Sequence, residues 1–316
     1  MARAPAIRDT THEGMDTITL DSGVLTAAFA PGAGMVGCSL QHDGEELLGQ
    51  RNGLAAYAET GSTFGIPLLA PWANRLDGRH YEAAGVAVDL DPDASPFKLD
   101  PGGLPIHGLL GTLKGWKVHK AQVAGDRITL RARLGSAKRD DLSAGFPFPF
   151  RLAVEVMLRD RTLTVSTSLK ATGKRPVPVA FGYHPYLTLP GLGRADWEIA
   201  LPVRRRVVLD ARGIPTPDTE RVTFPTAPMG RRTFDDLFDR LEPAPEFSLT
   251  GGGRRIGLRF EQGYDLAQVF APPAEDFICF EPMTAPTNAL VTGDRLAVVA
   301  PGKRYDARFS ITVAGA

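Results

Sequence analysis

Short β-rich runs, each cut off by glycine or proline before a helical period can establish itself, restrict the fold of this chain more than anything else in it. They recur at 17–20, 24–29, 128–134, 151–158, 162–169, 177–181, 255–260, 266–270, 296–300 and 307–313. With 34 glycines and 26 prolines among them and no sustained 3.6-residue pattern, helical architectures are disfavoured. Only Arg159, Asp160 and Arg161 separate Arg151–Leu158 from Thr162–Leu169, a spacing that predicts a hairpin. Short helical turns are expected only near 233–241. No repeat period or low-complexity linker divides the 316 residues. The reading is therefore all-β: one large antiparallel β-sandwich domain over 1–316, with 1–15 as an N-terminal extension.

Charge narrows the partners. The 36 Lys and Arg residues balance 36 Asp and Glu, so no basic field points to nucleic acid or to an anionic membrane surface. The densest basic run, Arg204-Arg205-Arg206, reads as a solvated strand edge. Cys38 and Cys279 are the only cysteines and each sits in an apolar segment, which predicts buried free thiols rather than a disulfide framework or a zinc cluster. The first residues lack the apolar core of a secretion signal, and no stretch approaches the roughly 18 apolar residues of a membrane span. A soluble cytoplasmic protein is expected.

Function is most legible in Phe277-Ile278-Cys279-Phe280-Glu281-Pro282-Met283, where one carboxylate closes an otherwise apolar run. A carboxylate so placed needs a partner, a proton to exchange or a ligand, because desolvating it unpaired is costly. Taken alone, Glu281 reads equally well as an ion-paired strand cap. Three further segments answer to it: Ala70-Pro71-Trp72-Ala73-Asn74-Arg75, Leu104-Pro105-Ile106-His107-Gly108 and Phe181-Gly182-Tyr183-His184-Pro185-Tyr186-Leu187. Singly, each has a plainer reading: His107 bonded to backbone, His184 packed at a strand end, Arg75 paired with Asp77, Trp72 in the core. Together, polar side chains delivered from apolar strands beside aromatic rings suit a sugar, whose C–H faces stack and whose hydroxyls are gripped by charged forks.

These segments, in this order, resemble the aldose 1-epimerase (galactose mutarotase-like) family, in the bacterial branch whose second histidine stands in a His-Pro-Tyr sequence; the likeness runs from about 20 to 313. The resemblance implies a β-supersandwich that binds a monosaccharide in an open cleft without metal or organic cofactor. It implies that Glu281 and His184 are catalytic, that His107 and Arg75 bind the sugar, and that a hydroxyl-holding aspartate falls at Asp235 rather than Asp236. Asn74 and Trp72 complete the expected binding set. The chain departs from the common pattern at Leu187, where many relatives have Phe, and in the loop between Pro92 and Pro105.

The reaction so implied opens the hemiacetal ring, turns the C1–C2 bond and closes the ring on the other carbonyl face. It needs a base at the C1 hydroxyl and an acid at the ring oxygen. Glu281 is the expected base and His184 the expected acid, acting on a free aldose. A hexose 6-phosphate is the alternative substrate, with Arg79, Lys98, Lys138 or Arg231 available for the phosphate. A non-catalytic sugar-binding module is the alternative of another class, and it would not need both Glu281 and His184.

Overall fold

The computed structural model describes residues 4–315. Three large antiparallel sheets and three two-stranded ones build it. The largest has nine strands in the order Lys117–Ala124, Arg127–Gly135, Phe150–Arg159, Thr162–Ala171, Arg304–Gly315, Arg254–Gln262, Glu246–Gly251, Glu198–Leu201 and Phe224–Pro228. The second runs Pro215–Arg221, Val203–Leu209, Phe234–Leu241, Leu266–Ala271, Ile278–Met283, Gly182–Tyr183 and Leu68–Leu69, with Tyr186–Leu187 also paired to Ile278–Met283. The third is a five-stranded meander from Ala6–His12 to Glu45–Glu46.

Period-two patterning explains why the sheets stack. In Phe150–Arg159 the side chains of Leu152, Val154, Val156 and Leu158 are buried, while the residues between them are more open. The predicted hairpin forms with Arg159 opposite Thr162, leaving a two-residue turn in which Asp160 takes φ 49°. One continuous apolar core joins the sheets: Leu40 and Phe29 from the meander, Val156, Ile256, Phe247 and Phe309 from the large sheet, Phe238, Val269 and Phe280 from the second. Cys38 and Cys279 are buried free thiols. No helix among the described residues is long and apolar enough to cross a membrane.

Three expectations need correcting or refining. The segment 233–241 holds a strand, Phe234–Leu241, instead of helical turns. Its apolar residues Phe234, Leu237, Phe238 and Leu241 fall at helical spacing, but pairing on both sides, with Val203–Leu209 and Leu266–Ala271, overrides that local signal. Arg204–Arg206 lie on an interior strand, not an edge, and they are paired: Arg205 forks onto Asp239 at 2.8 and 2.5 Å and Arg206 reaches Asp236 at 3.0 Å. Within the segment read as an extension, Ala6–His12 forms the outer strand of the meander, paired with Met15–Asp21 over seven residues.

The core also braces the neighbourhood of His184. Phe309 is fully buried, and its ring meets that of Tyr183 edge-on at 5.0 Å. Replacing Phe309 by Ala is expected to cost about 3–5 kcal/mol, whereas Val298→Ala, at a residue 49% exposed, should stay within about 0.5 kcal/mol. Urea unfolding of the two variants measures the contrast, and equal losses would contradict this account of the core.

Candidate active site

Glu281 lies inside the strand Ile278–Met283, not at its end as the sequence suggested, and pairs directly with Gln268 of the neighbouring strand. Alternation along the strand sends Ile278 and Phe280 into the main core and leaves Cys279, Glu281 and Met283 on the opposite face. The same alternation separates the two aspartates of Phe234–Leu241. Asp235 accepts a 2.7 Å hydrogen bond from Gln268 Nε2 on the cleft face, and Asp236 turns away to Arg206. Asp235, Gln268 and Glu281 thus form a polar row across three strands, with Gln268 and Glu281 each 1% exposed.

His184 reaches the same place from the step between Gly182–Tyr183 and Tyr186–Leu187, both of which pair with the Glu281 strand. Its ring stacks on Tyr186 with centroids 4.5 Å apart and planes 8° from parallel. Tyr186 is itself fixed by a 2.7 Å hydroxyl contact with Thr63. Held in this way, His184 Nε2 stands 3.2 Å from Glu281 Oε1.

The Asn-Arg and His-Gly motifs lock together. Asn74 adopts φ 55°, a left-handed conformation that Asn tolerates, and its Oδ1 accepts from the Arg75 amide at 2.8 Å. Its carbonyl accepts from the His107 amide at 2.9 Å. His107 and Gly108 follow with φ 65° and 81°, and the chain passes so close to Ala70 that a Cβ on Gly108 would sit 1.9 Å from the Ala70 carbonyl oxygen. The turn sets the His107 ring edge-on to His184 at 5.4 Å. Arg75 donates from Nε to Asp100 Oδ2 at 2.6 Å and places Nη2 4.0 Å from Asp235, so its partner is Asp100 and not Asp77. Asp100 is anchored through Oδ1 by the amides of Gly102 and Leu104.

Burial dominates the electrostatics. It pushes the Glu281 carboxyl well above the usual carboxylate range, with the Asp235 charge adding to the effect and Arg75 opposing it. The His184 imidazole is driven down to about 3, first by burial and then by the Arg51 charge. Burial, followed by His184, also holds His107 well below the ordinary histidine value. For Asp100, burial acts upward but is overcome by the hydrogen bonds from Arg75 and the loop amides, leaving its carboxyl lowered. Near neutral pH the His184–Glu281 pair therefore holds one proton between two groups, and burial favours the arrangement in which both are neutral.

Six of the seven residues singled out from sequence line one cleft: Asn74, Arg75, His107, His184, Asp235 and Glu281. Trp72 does not. It is 1% exposed within the main core, where its backbone bridges to Ala180, so its bulk supports the cleft from behind. Of the four cations considered for a phosphate, Lys98 reaches the cleft lining, while Arg79 lies over the ring of Phe97. Arg51, Thr63, Gln268 and Phe270 also line it and were missed. Gln268 carried a readable signal, a lone polar residue inside Leu266–Ala271, whereas Arg51 carried none.

A family model described as aldose 1-epimerase matches residues 16–312. The chain belongs to the aldose 1-epimerase family. Among relatives, it is 25% identical over 252 residues to the uncharacterized protein YihR of Escherichia coli strain K12, covering 77% of each chain. Its fold resembles that of a galactose mutarotase-like protein from Clostridium acetobutylicum, with a TM-score of 0.85 at 16% identity over 99% of both chains. It also resembles galactose 1-epimerase from Lactobacillus acidophilus, with a TM-score of 0.77 at 15% identity over 99% of both chains.

The His107–Gly108 turn offers a direct test. Gly125 also has positive φ, at 62°, but nothing within 4 Å of an added Cβ, so Gly125→Ala should cost only the left-handed strain of about 1–2 kcal/mol. Gly108→Ala must in addition move the Ala70 backbone, and its melting temperature is expected to fall clearly below that of Gly125→Ala in calorimetry.

Proposed function

We propose that the cleft interconverts the α and β anomers of an aldose. The observation that carries this reading is the 3.2 Å approach of His184 to Glu281 inside a cleft that also holds Arg75, His107 and Asp235. The two oxygens that exchange protons in ring opening are bonded to one carbon. A donor and an acceptor serving both must therefore be neighbours, as these two are.

In the form with the proton on His184, the Glu281 carboxylate takes the proton of the C1 hydroxyl. The imidazolium gives its proton to the ring oxygen as the C1–O5 bond breaks and the C1–O1 bond becomes a carbonyl. The proton has in effect crossed from histidine to glutamate, leaving the neutral pair that burial favours. After rotation about C1–C2, the ring hydroxyl attacks the other carbonyl face, His184 takes back its proton, and the Glu281 carboxyl returns one to O1. Each residue ends as it began, as a nearly thermoneutral reaction requires. Arg75, steadied by Asp100, favours the ionised form of Glu281 and with Asp235 and His107 holds the remaining hydroxyls, supplying the positioning that acid–base chemistry alone does not. Asn74 acts through Arg75 and His107, by setting the turn from which both project.

Two outcomes test the proposal. Glu281→Gln should lower kcat by about 10²–10⁴-fold in NMR anomer exchange or polarimetry, and its melting temperature should hold or rise, since a buried ionisable group is replaced by a neutral one of the same shape. Equal equilibration by wild type and variant, with sugar still bound, would make this a binding module. The pH profile supplies the second. A second proton must enter the pair before the acid side fails, and His184 is depressed to about 3. Loss of the single shared proton is deferred because the Glu281 carboxyl is raised. Activity should therefore persist well below pH 6.5, and an acid limb centred on the ordinary histidine value of about 6.5 would contradict the assignment.

A further inference from the structure

The cleft carries more positive charge than the proposed chemistry uses. Arg75 is matched by Asp100 and approached by Asp235, and the His184–Glu281 pair with its one proton is neutral overall. Arg51 and Lys98 remain. Neither has a carboxylate within ion-pair distance among the described residues, although both line the cleft. Arg51 donates through Nη1 alone, to the Thr63 carbonyl at 2.9 Å and the Tyr186 hydroxyl at 3.3 Å, so its Nη2 and Nε hydrogens are free to point at a ligand. Lys98 projects from the strand Phe97–Leu99 opposite Ile106, the residue preceding His107. Lys98 is half-buried, and burial and the neighbouring Arg51 both work against its charge, while Arg51 itself is exposed; neither cation has an anion in contact with it among the described residues.

Their position relative to the reacting atoms is specific. Arg51 sits over the Tyr186 ring, 5.4 Å from its centroid, and that ring stacks on His184. Beyond their mutual contact, Glu281 feels chiefly Asp235 and Arg75, and His184 feels chiefly Arg51 and Lys98. In an aldopyranose the atoms follow the order C1, O5, C5, C6. With Glu281 at the C1 hydroxyl and His184 at O5, the next position beyond His184 is C5 and its C6 substituent. We infer that Arg51 and Lys98 form a subsite for an anionic group on C6, so that the substrate is an acidic monosaccharide rather than a neutral hexose. The inference rests on the epimerase reading for its orientation. A phosphate ester, a sulfate or sulfonate, and a uronate carboxylate share the chemistry recognised: oxygen atoms bearing negative charge, accepting from a guanidinium and an ammonium.

The deciding experiment compares D-glucose, D-glucose 6-phosphate, D-glucose 6-sulfate and D-glucuronate as substrates by NMR anomer exchange, with each spontaneous rate subtracted. Wild type, Lys98→Gln and Arg51→Gln are compared, and calorimetric binding of the same four sugars is measured in parallel. At least one acidic sugar should exceed glucose in kcat/KM by about 10-fold or more, and each variant should shrink that ratio by about 10–100-fold, as loss of a charge-assisted contact does. The sugar with the largest ratio identifies the anion. Glucose turned over as well as all three acids, or a ratio that neither variant changes, would overturn the subsite. If no sugar is turned over faster than in buffer, the epimerase reading falls by itself. Binding then decides the subsite: tighter acids that weaken in Lys98→Gln uphold it, and equal affinities for glucose and the acids remove it.

Discussion

A carboxylate and an imidazole placed 3.2 Å apart out of water govern the rest of this structure. Neither is stable there alone in its charged form, and each makes the other's charged form tolerable only while a single proton lies between them. The surrounding architecture serves to hold that contact. The Glu281 strand pairs with Leu266–Ala271 on one side and with both Gly182–Tyr183 and Tyr186–Leu187 on the other. Both partners therefore hang from one hydrogen-bonded ladder, and their separation is set by backbone spacing rather than by long flexible side chains.

The sandwich explains why such a contact survives. A buried ionisable pair contributes little stability and can subtract from it, so the apolar core must hold the fold without its help. Phe309, Tyr183, Tyr264 and Phe181 interlock edge-to-face immediately behind the His184 segment, and Phe247 lies against Phe280 of the Glu281 strand at 5.3 Å. Rigidity at His184 and Glu281 comes from aromatic packing on the far face of the same strands.

Period-two patterning made most of the framework legible, since it is set by burial on one face: all ten runs read from sequence fall within or overlap strands of the structure. It misled at Phe234–Leu241, where apolar spacing imitates a helix and only the flanking strands decide the outcome. The candidate site was legible where a motif concentrates unusual backbone, as in Asn74-Arg75 and His107-Gly108, or where a charge interrupts an apolar run, as at Glu281. Strand register resolved Asp235 from Asp236, which adjacency in sequence could not. Asp100 and Arg51 left no local trace, because their roles depend on contacts with residues 25 and 135 positions away. Trp72 was drawn toward the sugar by its neighbours in sequence, yet its ring packs into the main core.

The short hairpin formed by Phe97–Leu99 and Pro105–Leu109 stands as its own two-stranded sheet, outside the ladders of the three large ones. It nevertheless carries Lys98, His107 and, in its connecting turn, the Asp100 that steadies Arg75. The hairpin is tied to the 70–76 segment by the His107 amide on the Asn74 carbonyl and by bridges of Ile106 to Arg75 and of Gly108 to Ala70, so one short excursion carries part of the cleft lining while Glu281 and His184 belong to the frame. A change confined to about a dozen contiguous residues would therefore reach one wall of the cleft while leaving in place the ladder beneath His184 and Glu281.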